Sequence, residues 1–161
     1  MSYKSKRTIA SIVVGIVLII IYIIFAMKKN VPGAESPDTL RSWAILMLIF
    51  LGIGIVASII VQIIFAIGYS IGVAVKESDK NDKEVERIIE SSMFEDEMDK
   101  MITLKSEYVG FVIVGIGFVT ALITLAAGMS AVFALNITFA SFAVGSLASG
   151  IASIVGYERG V

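Results

Sequence analysis

Three stretches of the chain carry no charged residue: Thr8 to Met27, Ser42 to Val75 and Tyr108 to Tyr157, of 20, 34 and 50 residues. Apolar positions run continuously through them, without the two-residue alternation of a membrane barrel strand. Their Ile and Val content favours strands in water. In hydrocarbon every backbone group must be paired within its own segment, so the helix is the expected form. A spanning helix needs about 20 apolar residues. The first stretch supplies one crossing. The second reaches about 51 Å as helix, which suits one tilted or protruding helix. The third reaches about 75 Å, more than two bilayer thicknesses, and must fold back. Gly128-Met129-Ser130 is the expected turn. The pattern predicts an all-α polytopic membrane protein, a single membrane domain over residues 1–161. Its crossings fall at about 8–27, 43–68, 108–127 and 132–155, with an acidic helical segment, 76–107, between the second and third.

Composition narrows the function classes. Hydrophobic residues make up 57% of the 161 residues, against roughly 45–50% in a soluble domain. A soluble globule would lack the polar surface to cover itself, and a disordered chain is excluded because disorder goes with low hydrophobicity and high net charge. The net charge is −1, with 13 basic and 14 acidic residues, so no basic surplus steers the chain to nucleic acid. The absence of Cys and His removes disulfides, thiolate nucleophiles, the commonest general base and the commonest transition-metal ligand. No cofactor is expected.

Lys4, Lys6 and Arg7 precede the first apolar stretch in the manner of a secretory signal. That stretch exceeds the usual 7–15 residues of a signal core, and it ends in Phe25-Ala26-Met27-Lys28-Lys29 without a small-x-small cleavage pattern. It reads as a retained membrane helix. With four crossings, both termini and the 76–107 segment share one side. Lys4, Lys6, Arg7, Arg159 and six basic residues of the segment lie there, against Lys28, Lys29 and Arg41 on the other side. The basic residues place both termini in the cytoplasm of a plasma-membrane protein.

The outer segment contains the turn pair Pro32-Gly33, followed by Ser36-Pro37-Asp38. This triplet reads as an N-cap, a proline at the first helical position and an acid in the positive first turn. The second helix is therefore expected to begin near Pro37, with Trp43 at an interface. The 76–107 segment holds six basic and eleven acidic residues. Asn81 or Asp82 could cap a helix with Val85, Ile88, Ile89 and Met93 on one face. Phe94, Met98, Met101, Ile102 and Tyr108 keep helical spacing into the third crossing. Either a helical hairpin or an interfacial helix followed by a long third helix satisfies this pattern.

Glu95-Asp96-Glu97-Met98-Asp99 is the densest acidic stretch. It is read first as helix-start acids paired within their helix to Lys100 and Lys105. A weak divalent-cation site on Glu95, Asp96 and Asp99 is a second reading. A metal-diphosphate site is a third, because Glu95-Asp96-x-x-Asp99 approaches the Asp-rich motif of prenyl-transferring enzymes. That chemistry uses two facing motifs, and no second acidic cluster adjoins a crossing. There is also no phosphate-cradling loop and no nucleophile elbow. The expectation is a protein without catalytic machinery.

The crossings contain no charge, which argues against a pump working through a buried carboxylate. Gln62 and Asn136 are their strongest polar groups, expected to make interhelical hydrogen bonds. Ser141, Gly145, Ser149 and Ser153 recur every four residues, with Ala148, Ala152 and Gly156 beside them. Such stripes allow close helix packing, within the bundle or in a homo-oligomer. Gly68 and Gly72 of the second crossing, and Gly110, Gly115 and Gly117 of the third, are expected to serve the same packing.

The run Glu95-Asp96-Glu97-Met98-Asp99-Lys100-Met101-Ile102-Thr103-Leu104-Lys105 leads directly into a membrane helix, and the chain ends Tyr157-Glu158-Arg159-Gly160-Val161. Over residues 90–161 this resembles an uncharacterised family of small prokaryotic four-helix integral membrane proteins. In that family an Asp-Glu-Arg-Asp type motif precedes a helix pair, and the tail contains tyrosine and arginine. Met98 stands where the family often has Arg, so an ion pair made by that Arg is absent. The resemblance implies membrane class and prokaryotic origin, and no chemistry. Two function classes remain. One is a partner-binding or regulatory membrane protein whose 76–107 segment meets a cytoplasmic protein. The other is a subunit of a small transporter or channel, with a polar route past Gln62, Thr120, Thr124 and Asn136.

Overall fold

The computed structural model describes residues 3–29, 37–76 and 97–159. It is all-helical, with α1 Tyr3–Lys29, α2 Pro37–Lys76, α3 Glu97–Ala126 and α4 Ala131–Arg159. All four are long and apolar enough to cross a membrane. Helix α2 starts at Pro37, with Asp38 in its first turn. Helix α3 starts at Glu97 and runs unbroken into the third apolar stretch. The expected features at Pro32-Gly33, Ser36, Val85 to Phe94, Glu95 and Asp96 lie outside the described residues.

The turn between α3 and α4 falls at Gly128. Gly128 has φ +77°, a left-handed backbone that glycine adopts without a Cβ penalty. The Met129 amide donates to the Thr124 carbonyl at 3.0 Å, and the Gly128 amide to Leu125 at 3.0 Å. This is a Schellman termination, which pairs carbonyls that a helix end otherwise leaves open. Ser130 then caps α4. Its hydroxyl accepts the Phe133 amide at 3.2 Å, and its carbonyl accepts that of Ala134 at 3.1 Å.

Contacts along the helices make α1 antiparallel to both α2 and α4, α3 antiparallel to α4, and α2 therefore parallel to α4. Helix α1 meets α2 at Lys29–Ser42 and at Arg7–Gln62. It meets α4 at Tyr22–Asn136, Gly15–Leu147 and Ile12–Gly150. Helix α3 meets α4 at Gly117–Ser141, Gly110–Gly145 and Ile102–Gly156. Tyr3 and Arg159 therefore lie at the same end. The most extensive interface is α3 on α4, and α1 bridges α4 and α2.

The α3–α4 seam is built from small residues. A Cβ placed on Gly110 would stand 2.9 Å from the Gly145 carbonyl oxygen, and one on Gly145 would stand 2.8 Å from the Gly110 carbonyl. Each glycine thus turns a Cα hydrogen toward the other's carbonyl, the reciprocal Cα–H···O geometry of close helix pairs. A Cβ on Gly117 would overlap the Ser141 side chain. Ser106 and Ala121 are buried on the same helix, and Ile102, which packs against Gly156, is 1% exposed.

The other glycines behave differently. A Cβ added at Gly115, Gly68 or Gly72 would meet no atom within 4 Å, which corrects the expectation that they serve tight packing in the bundle. Gly115 lies two residues from Gly117, on the other face of α3. On α2 the glycine nearest a neighbouring helix is Gly54, whose added Cβ would meet Leu18 Cδ1 at 3.9 Å.

Gly145→Ile should force the seam apart and cost about 1–3 kcal/mol, the range for overpacked interiors. Gly115→Ala and Gly68→Ala should leave stability unchanged or slightly raised, since they meet open space and improve helix propensity. Denaturant titration of the purified protein in mixed micelles measures all three. Equal stability of Gly145→Ile and wild type would mean that the seam is not a packing surface.

Candidate functional site

Several hydroxyl groups in the apolar helices are satisfied locally. Ser58 donates to Gly54 O at 2.8 Å, Thr120 to Ile116 O at 2.8 Å and Thr124 to Ala121 O at 2.7 Å. Such back-bonding returns the hydroxyl proton to the helix's own carbonyls where water is absent. Among the described residues no buried side-chain nitrogen or oxygen lacks a partner.

Two longer polar side chains instead bond between helices, and both bonds end on α1. Tyr22 donates its hydroxyl to Asn136 Oδ1 at 2.7 Å. Asn136 Nδ2 donates to the Val132 carbonyl of its own helix at 2.8 Å, so both ends of the amide are engaged. The Tyr22 ring lies edge-on to Phe50 of α2, centroids 5.3 Å apart, and tilted against Phe139 of α4 at 4.3 Å. Tyr22, Trp43 and Met47 form a buried apolar cluster where α1, α2 and α4 meet. Lys29 closes it, donating to Ser42 O at 2.8 Å with its ammonium 5.6 Å from the centre of the Trp43 ring. Trp43, expected at an interface, is packed to 4% exposure there.

Towards the end that holds Tyr3 and Arg159, Arg7 Nη2 donates to Gln62 Oε1 at 2.7 Å. Fourteen residues of α1 separate Thr8 from Tyr22, about 21 Å of helix. Along that length α1, α2 and α4 enclose an open groove of about 570 Å³, lined by residues including Thr8, Ile12, Gly54, Ser58, Phe139 and Leu147. A second hollow of about 560 Å³ lies beside Trp43 and Asn136. A third, about 460 Å³, is a shallow depression on α3 between Tyr108 and Thr120.

The structure disperses several residues that the sequence grouped. Gln62 and Asn136 sit at opposite ends of α1, and Thr120 and Thr124 sit on α3. Ser141, Gly145 and Ser149 all face α3, and Ser153 is partly buried on the same helix. Of the acidic stretch, Glu97 is exposed and Asp99 is buried. Among the described residues no three acidic side chains gather as a metal site. Sequence reasoning named both amides but neither partner. Tyr22 is the single hydroxyl-bearing aromatic in the first apolar stretch, and that was the available signal. No protein-family model, curated protein or solved structure matches the chain.

Replacing Tyr22 with Phe leaves Asn136 Oδ1 without its donor. Tyr22→Phe and Asn136→Leu should show a coupling of about 0.6–1.7 kcal/mol in a double-mutant cycle, the range for hydrogen bonds between membrane helices. Additive effects in the same unfolding assay would count against the bond.

Proposed function

We propose that this is a non-enzymatic, four-span plasma-membrane protein of prokaryotic type, with both termini in the cytoplasm. In this reading the acidic 76–107 segment receives a cytoplasmic protein partner, and the bundle anchors or relays that contact. One observation supports it above the others: α3 is a single helix from Glu97 to Ala126. It ties the end of the charged segment to the Gly110–Gly145 seam with no break between them. A displacement at Glu97 would be carried to that seam by a rigid element. The excess of basic residues on the side of the termini supports the orientation. The resemblance of residues 90–161 to small prokaryotic membrane proteins supports the origin.

A transporter or channel subunit draws less support. Its proposed polar route needs Gln62, Thr120, Thr124 and Asn136 along one path, but Gln62 and Asn136 sit at opposite ends of α1 and Thr120 is exposed on α3.

The chain contains no cysteine, so single-cysteine variants report topology without background. Ala34→Cys should react with a membrane-impermeant maleimide on intact cells, and Ser78→Cys only after permeabilisation. The reverse pattern would invert the orientation. Removing residues 77–96 should abolish co-purification of a cytoplasmic partner; an unchanged set of co-purifying proteins would end the case for the segment as a docking site.

A further inference from the structure

We propose that the groove between α1, α2 and α4 holds one acyl chain of an anionic phospholipid whose headgroup is bound by Lys6 and Arg7. The groove starts at Thr8, the residue after Arg7, and ends at the Tyr22–Phe50–Phe139 ring cluster. Its length along α1, about 21 Å, exceeds the depth of one leaflet, about half of a 30 Å hydrocarbon core. Its volume falls in the ~300–1,000 Å³ range of small-molecule sites. The walls are mainly aliphatic and aromatic, while Thr8, Ser11 and Ser58 place hydroxyls toward the Arg7 end.

The charge at that end selects the lipid. Lys6 is exposed, and the interhelical bond to Gln62 uses one nitrogen of the Arg7 guanidinium. A guanidinium has five donors, which leaves several for a phosphate. The Arg7–Gln62 bond also fixes the mouth of the groove, because it holds α1 to α2 one turn beyond Ser58. A hydrocarbon tail between the three helices and a phosphate on the two adjacent cations would satisfy both halves of the site.

The test uses the full-length protein in detergent. Native mass spectrometry and thermal stability are followed on adding phosphatidylglycerol, phosphatidylcholine, or glycerol phosphate as a headgroup without chains. Phosphatidylglycerol should bind on the order of tenfold more tightly than phosphatidylcholine, and glycerol phosphate should have no effect at the same concentration. Lys6→Gln with Arg7→Gln should abolish the preference. Gln62→Leu, which releases the mouth of the groove but keeps both cations, should weaken the binding of both lipids and leave phosphatidylglycerol the tighter of the two. Ser58→Phe should fill the groove and weaken both lipids. If that variant does not fold, wild-type protein is photolabelled with phosphatidylglycerol carrying a diazirine in its chain, and the label should fall on Ile12, Ile19 or Ile55. Equal binding of the two lipids, a response to glycerol phosphate alone, or labelling confined to other faces would each overturn the proposal.

Discussion

A lipid bilayer offers no reward for bringing two apolar helices together, because the tails they leave are as apolar as the side chains they meet. Every contact between these helices therefore needs another source of free energy. Two are present. On the α3–α4 side it is close backbone approach, with Gly110 against Gly145 and Gly117 against Ser141. Around α1 it is hydrogen bonding between side chains that find no water in hydrocarbon, Tyr22 with Asn136, supplemented by Arg7 with Gln62 at the edge. The two devices suit different geometries. Glycine seams need long matched surfaces, and α3 and α4 are joined by a tight turn that sets them side by side. Helix α2 has no such seam, and it is held mainly by its contacts near the two ends of α1.

That division accounts for which features were legible in the sequence. The four long apolar helices among the described residues, the start of α2 at Pro37 and the turn at Gly128 are local properties. Each follows from the length of an apolar run, a cap or a left-handed residue, and the structure contains all three. The α4 stripe was legible because its four-residue spacing is a helical period. Which glycines meet a partner was not. Gly115 and Gly117 differ by two residues, about 200° around a helix, and only the register of α3 against α4 separates packing from open space. The amide partners were also hidden, since Tyr22 and Asn136 lie 114 residues apart and hydrophobic periodicity carries no information about pairing between helices.

Charge is excluded from the spans and concentrated at one end of the structure, so the bundle itself has little chemistry to offer. Its resources are surfaces: a seam, a groove and a helix that leaves the apolar region intact. Helix α3 matters most for the proposed relay. Its first turn, with Glu97 and Asp99, is continuous with the residues that pack against α4. A helix that broke at the membrane surface would let the charged segment move independently of the seam. An unbroken one makes the two move together.

The length of α2 adds a separate constraint. Ser42 is level with Lys29 and Gln62 with Arg7, so about 30 Å of α2 matches the part of α1 between its basic ends. The apolar residues Ile63 to Val75 continue past Arg7, about 20 Å further as helix. A segment of that composition is unfavourable in water and favourable in hydrocarbon. A thicker hydrocarbon layer or a tilt of the bundle from the bilayer normal would each shelter more of it. The Lys29–Ser42 and Arg7–Gln62 bonds tie α2 to α1 over the matched part, so such a tilt carries the two helices together.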